Sequence, residues 1–175
     1  MTTKSLYLLC SAAPPVFDVA AVIEDAQARG WDVCLGLTPT AAHWLAESLD
    51  GLAVLTGHAV RWQYRLPGEP DLWPAPDALL YAPATFNTVN AWALGLTDRL
   101  TVGLAAESLG NGTPATAVAC ANSALAAHPQ YEISLATLRN AGVQLLQYDN
   151  TPTETPAPFP WGAALDSLDR SAVQI

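Results

Sequence analysis

Short apolar runs alternate with segments of helical periodicity along this chain, and that alternation limits the fold more than any other feature. "SLYLLC" (Ser5–Cys10) is an apolar run of strand length, closed by the turn "SAAPP". Val16, Val19, Ala20 and Ile23 then recur at helical spacing up to Gly30, which stands where a C-terminal cap glycine belongs. "WDVCLGL" (Trp31–Leu37) reads as the next strand. Thr38 is expected to cap the following helix, with Pro39 at its first position and Gly51 beyond its end. Further strands are expected at Ala53–Leu55, at Ala59–Tyr64, and over "DALLYA", "PATAVA" and "VQLLQY". Helices are expected over Phe86–Leu94, over Asp98–Leu109, and from Pro129 onward with His128 near the cap. "RLPGEPDLWPAP" reads as a proline-rich surface loop.

Strand–helix alternation of this kind implies a mainly parallel sheet flanked by helices on both faces, a three-layer α/β fold. A chain of 175 residues with 51% hydrophobic content can bury the core of one such domain. No internal repeat divides it. The tail "NTPTETPAPFPWG" is too rich in Pro and Thr to form a regular element, and "WGAALDSLDR" reads as a short last helix. Residues 1–150 are therefore expected to form the domain, and residues 151–175 a Pro/Thr-rich flap ending in that helix.

Charge excludes several functions. The net charge is −9, with Lys4 the single lysine among seven basic residues. No basic stripe exists to neutralise a phosphate backbone, so nucleic acid is not an expected partner. Every long apolar stretch is interrupted by Asp, Arg, Pro or Gly, so no membrane span is expected either. The opening "MTTKSLYLLCSAAPP" has too short an apolar run for a secretory signal, which gives a cytoplasmic expectation. Cys10, Cys34 and Cys120 are odd in number and widely spaced, as buried reduced thiols are, and suit neither a disulfide framework nor a metal site.

In open parallel sheets, ligands bind beyond the carboxyl ends of the strands, where the strand order reverses. The residues just past those ends are Ser11, then Thr38 and Thr40, then Thr85, Asn87 and Thr88, and finally Asn122. Each alone is an ordinary cap or turn former. Four loops supplying hydroxyls and amides to one rim form a different pattern. Hydroxyls and helix-start N–H groups can hold a phosphate without a cation, which suits a chain this poor in lysine.

"PATFNT" (Pro83–Thr88) resembles the Pro-Ala-Ser/Thr-Ala-Asn-Thr signature of the homo-oligomeric flavin-containing cysteine decarboxylases. That family includes phosphopantothenoylcysteine decarboxylase and the lantibiotic-type peptidyl-cysteine decarboxylases, with flavin prenyltransferases as relatives. "GLTDRL" (Gly95–Leu100) is similar to the family's Gly-x-x-Asp-Asn-Leu. "ANSALAAHP" keeps Asn122, His128 and Pro129 of its Pro-x-Met-Asn-x-x-Met-Trp-x-His-Pro, and "LTPTAAHWL" resembles its second-strand flavin loop. The resemblance spans residues 5–148 and implies a Rossmann-like (flavodoxin-like) fold that binds FMN. It further implies a phosphate lying among Ser11, Thr38 and neighbouring amides such as that of Ala12. Thr85 and Asn87 would hydrogen-bond cofactor or substrate, and Phe86 would lie against a ring. Asn122 would grip the substrate carboxylate. A trimer or dodecamer is implied, and the apolar Phe86–Leu109 region supplies a subunit contact.

The departures from the family are specific. "CSAAPP" replaces a glycine-led first loop, Ala91 stands where a lysine commonly follows the signature, and Leu125 and Ala126 replace the motif's Met and Trp. The family's catalytic histidine precedes the signature strand, but "YRLPGEPDLW" holds none, which leaves His58 as the nearest candidate base. Taking the proton of a cysteinyl thiol suits a histidine. The resemblance therefore points to oxidative decarboxylation of a cysteine carboxylate, on a peptide C-terminus or a small cysteinyl thiol. The alternatives are an FMN-binding partner or redox subunit without decarboxylase activity, and an α/β binding module without flavin.

Overall fold

β1 (Lys4–Cys10) is buried along all but its first residue, as a strand covered on both faces must be. The structure, a computed structural model, describes residues 3–172. Around β1 lie β2 (Trp31–Leu37), β3 (Ala78–Thr85), β4 (Ala115–Ala121) and β5 (Gln144–Asp149), in the order β2-β1-β3-β4-β5. Every pairing is parallel. The chain steps from β1 outward to β2, then returns across β1 to β3, so the order reverses between β1 and β3.

Side chains of a strand alternate between faces, and two cores follow from that alternation. On one face Leu6, Leu8, Val33, Leu35 and Leu80 meet α1 (Val19–Ala28) and α8 (Trp161–Ala172). On the other, Tyr7, Leu9, Leu79 and Tyr81 meet α4 (Phe86–Leu94), α5 (Leu100–Gly110) and α7 (Pro129–Asn140). The result is the expected three-layer, flavodoxin-like arrangement. Among the described residues, no helix is long and apolar enough to cross a membrane.

The structure departs from the sequence reading in the region after β2. The expected strand at Ala53–Leu55 lies inside a helix, α3 (Leu49–Thr56). Leu52 and Thr56 turn inward at helical spacing, the Thr56 hydroxyl donates to the Leu52 carbonyl at 3.0 Å, and Gly57 at φ 74° ends the helix. The single helix expected from Thr38 to Gly51 is divided: α2 (Pro39–Trp44) stops at Leu45, and a short 3-10 turn leads into α3. The strand expected at Ala59–Tyr64 reduces to one bridge, in which Arg61 N–H donates to Leu35 and the Arg61 carbonyl accepts from Leu37 N–H. Pro14 and Pro15 open a 3-10 turn, so α1 begins at Val19 rather than Val16.

"RLPGEPDLWPAP" is exposed at its tip but is anchored by Trp73, which is buried. The Trp73 indole donates to the Ala59 carbonyl, meets Tyr7 edge-on at 5.1 Å and carries the Arg61 guanidinium over its ring at 4.8 Å. The segment after residue 150 likewise returns to the domain. Ala164, Leu165 and Leu168 of α8 are fully buried in the first core. Leu165→Ala is expected to cost about 2–5 kcal/mol, read as a lower urea midpoint at unchanged slope.

Candidate functional site

The carboxyl ends of the strands are held level by hydrogen bonds that continue the ladder past the strands themselves. Thr38 N–H donates to the Cys10 carbonyl, Ser11 N–H to Pro83, and Asn150 N–H to Ala121, at 2.9, 2.9 and 3.0 Å. Pro83 has no N–H to give to β4, and the β3–β4 register shifts between Tyr81 and Ala84. The ladder to β4 is thus interrupted at Pro83 and resumes at Ala84 and Thr85, opposite Ala119 and Cys120, while the Pro83 carbonyl holds the start of the first loop.

Above this rim opens a cavity of about 480 Å³, within the range of small-molecule sites. Ser11, Ala12, Thr38, Thr40, Thr85, Phe86, Asn87 and Asn122 all line it. The structure therefore brings together almost every position singled out past a strand end. Thr88 lies just behind them and is buried. Its Oγ1 is 2.7 Å from Ser11 Oγ and accepts from the Thr85 hydroxyl at 3.3 Å. This hydroxyl chain couples the first loop to the "PATFNT" turn. Thr85 stands at the N-cap of α4 but makes no side-chain cap hydrogen bond; its hydroxyl points to Thr88 instead. The first N–H groups of α4 therefore have no side-chain cap from Thr85.

Other side chains are fixed by local geometry. Thr38 accepts from Ala41 N–H at the start of α2. Asn122 caps the short helix α6 (Ser123–Ala126) by accepting from Leu125 N–H at 2.9 Å. With Oδ1 so used, its Nδ2 remains as a donor. Phe86 stacks on Tyr131 at 5.6 Å and meets His128 edge-on at 5.7 Å, so the ring is braced from behind. Cys120 lines the cavity, but burial pushes its thiol up to about 11, which leaves it protonated and unreactive at neutral pH.

His58 is not part of this site. Its Nε2 is 2.8 Å from Asp32 Oδ1, and Asp32 is the second residue of β2. At ~3.3 Å per residue, that position lies about 20 Å down the strand from Thr38. The misplacement follows from α3: a helix there returns the chain to the amino-terminal edge of the sheet, where a strand would have carried it away. His43 is exposed on α2, and His128 caps α7 by accepting from Gln130 N–H through Nδ1. Among the described residues, no histidine lines the cavity and no cluster is arranged to hold a metal.

Trp44, Arg99, Leu125 and Asn150 line the cavity without having been singled out from sequence. Asn150 directly follows β5 and was open to the strand-end rule. Arg99 stands inside "GLTDRL", where the resembling motif has Asn. Trp44 and Leu125 are inside helices, beyond the reach of the strand-end rule, although both lie in stretches that resemble family motifs. A second cavity adjoins the first and shares Asn87 and Arg99 with it. Asn90, on its wall, has a buried Oδ1 without a hydrogen-bond partner among the described residues.

The chain resembles solved flavoprotein structures over nearly its whole length. The FMN-dependent cysteine decarboxylase SpaF matches at TM-score 0.69 and 19% identity, covering 98% of both chains. A phosphopantothenoylcysteine decarboxylase variant in complex with pantothenoylaminoethenethiol matches at TM-score 0.76 and 16% identity, over 97% of this chain and 98% of that one. The FMN-binding protein AtHal3 matches at 0.76 and 16%, over 99% of each. No curated protein matches this sequence. The Flavoprotein family model matches residues 1–162, and the chain belongs to that family.

Proposed function

We propose that this flavoprotein binds FMN in the strand-end cavity and oxidatively decarboxylates a cysteine carboxylate, at a peptide C-terminus or on a small cysteinyl thiol. The observation that carries this reading is the meeting of the Thr85–Asn87 turn with Asn122 in one cavity at the point where the strand order reverses. The solved structures described as cysteine decarboxylases and FMN-binding proteins support it. The lining fits such a cofactor. Ser11, Thr38, Thr40 and the open N–H groups of α4 suit a phosphate, and Phe86, Trp44 and Leu125 offer apolar surface for a ring system.

Bound flavin supplies the two-electron acceptor. The protein's own part is positioning. The Asn122 amide, locked by its cap, offers Nδ2 to the carboxylate, a neutral donor that does not hold the charge so tightly that carbon dioxide cannot leave. Exposed Leu94 and Leu96 on the wall of the second cavity support a subunit contact there, in a trimer or a multiple of it. A second reading, an FMN-binding partner or redox subunit without decarboxylation, is favoured by one observation. No His, Asp, Glu or Lys lines the cavity among the described residues.

The apoprotein is expected to take up FMN in preference to FAD or NAD, measured by fluorescence titration. Failure of wild-type protein to bind FMN rejects the reading. Asn87→Ala should weaken FMN by about 1–3 kcal/mol, because a group of the cofactor buried on binding loses its partner, whereas Asn122→Ala should retain flavin and lose cysteine-ending peptide turnover. Wild-type affinity in both variants removes Asn87 from the cofactor site. His58→Ala should leave turnover unchanged and cost no more than about 1 kcal/mol in stability. A drop of 100-fold or more in kcat would return His58 to the chemistry. Flavin binding with no mass loss from any cysteine-ending peptide favours the second reading.

A further inference from the structure

Arg99 is the single charged side chain lining the strand-end cavity among the described residues, and it also lines the adjoining one. Arg29, Arg61, Arg65 and Arg139 each hold a carboxylate, with closest approaches between 2.7 and 3.4 Å. Arg99 has Asp98 alone, at 4.0 Å, and that carboxylate is 74% exposed. The distance is beyond a hydrogen bond, and a pair so exposed is weak. The base of the arm is nonetheless fixed. The Arg99 carbonyl accepts from Gly103 N–H at 3.0 Å and from the Tyr64 hydroxyl at 3.3 Å, and that hydroxyl also donates to Thr97. A protein of net charge −9 thus presents a guanidinium on a fixed main-chain base, without a short partner among the described residues, to an otherwise neutral cavity.

We propose that Arg99 is the anion-recognising residue of this cavity, gripping a phosphate or carboxylate of the ligand that keeps its charge throughout turnover; this rests on the functional reading above. The planar guanidinium matches two oxygens of such a group at once. The carboxylate that departs is the wrong partner. A cation on it stabilises the ground state more than a transition state in which charge moves away. That group is left to neutral Asn122. Two sources carry a persistent anion: the cofactor phosphate, and a second acidic group on the substrate.

The test uses flavin-stripped wild type, Arg99→Gln, Arg99→Lys and, as a control outside the cavity, Arg139→Gln. Calorimetric titrations with FMN, riboflavin and inorganic phosphate are followed by titrations of FMN-loaded protein with cysteine-ending peptides carrying Asp or Asn at the preceding position. If the cofactor phosphate is the anion, Arg99→Gln weakens FMN about 10- to 100-fold and leaves riboflavin unchanged. If the substrate supplies it, FMN is unchanged and the preference for the Asp peptide falls by the same factor. Arg99→Lys should keep part of either preference, and Arg139→Gln should alter neither. Unchanged FMN-to-riboflavin and Asp-to-Asn ratios in Arg99→Gln overturn the proposal. Should wild type bind no flavin, the reading of the cavity as an FMN site fails by itself and the phosphate titration decides. Binding lost in Arg99→Gln upholds the anion site, and equal binding, or none in either protein, overturns it.

Discussion

The parallel hydrogen-bond ladder does not stop where the strands do, and the site depends on that continuation. The amides of Thr38, Ser11 and Asn150 each reach back to the carbonyl at the end of a neighbouring strand or its turn. Loops that would otherwise wander over the surface are pinned within one residue of the sheet. Ser11, Thr38 and Asn150, on these three loops, are thereby held at a common level. The Ser11–Thr88–Thr85 hydroxyl chain adds a cross-link between the two loops that flank the reversal of strand order. Ser11 and Thr85 also line the cavity, so a bulkier residue at either would fill it as well as disturb the link, and rim geometry and ligand volume are set in part by the same side chains.

Charge is distributed to the same end. Carboxylates outnumber cations more than two to one in the chain, yet none lines the strand-end cavity among the described residues. They lie outside it, in Asp25, Asp166 and Asp169 around Arg29, in Asp71 between Arg61 and Arg65, and in Asp32 beside His58. A cavity lined by hydroxyls, amides and one guanidinium does not repel an anionic ligand at short range, whatever the net charge of the molecule. The three cysteines follow the same logic. Each is buried and its thiol is pushed upward by desolvation, so none competes as a nucleophile inside the protein.

How much of this was legible in the sequence depended on whether local pattern or distant packing decided each element. The five paired strands are apolar runs bounded by turn residues, and the strand-end rule then located Ser11, Thr38, Thr85, Asn87 and Asn122 without reference to any relative. Thr88 was read as a ligand residue, but its first partners are protein hydroxyls. The region between β2 and β3 misled because "AVL" and "AVRWQY" have strand-like composition. The difference lies in Thr56, whose hydroxyl closes a helical turn, and in Trp73, whose indole holds the Ala59 carbonyl from fourteen residues away. No local pattern reports a partner at that separation. His58 was misplaced for the same reason, since its position depends on where α3 delivers the chain.

The Pro/Thr-rich tail, read from composition as a loop or flap, is tied at both ends to the rest of the fold. At its start, Thr151 accepts from Ser123 N–H at the base of α6 and donates to Asp149, lowering the pKa of that carboxylate. At its end, the Tyr148 hydroxyl donates to the Ala157 carbonyl at 2.8 Å, and the rings of Tyr148, Phe159 and Trp161 form a ladder with centroids 5.1 and 4.6 Å apart. Between those ties only residues 152–156 are left, beginning two positions beyond Asn150 on the cavity wall. Prolines in that stretch limit its backbone freedom, so holding it against a ligand costs less entropy than ordering a glycine-rich loop of equal length. The same ladder hands the chain to α8, whose Leu165 and Leu168 close the first core. The segment that borders the cavity is therefore bound by its far end to the packing that stabilises the domain.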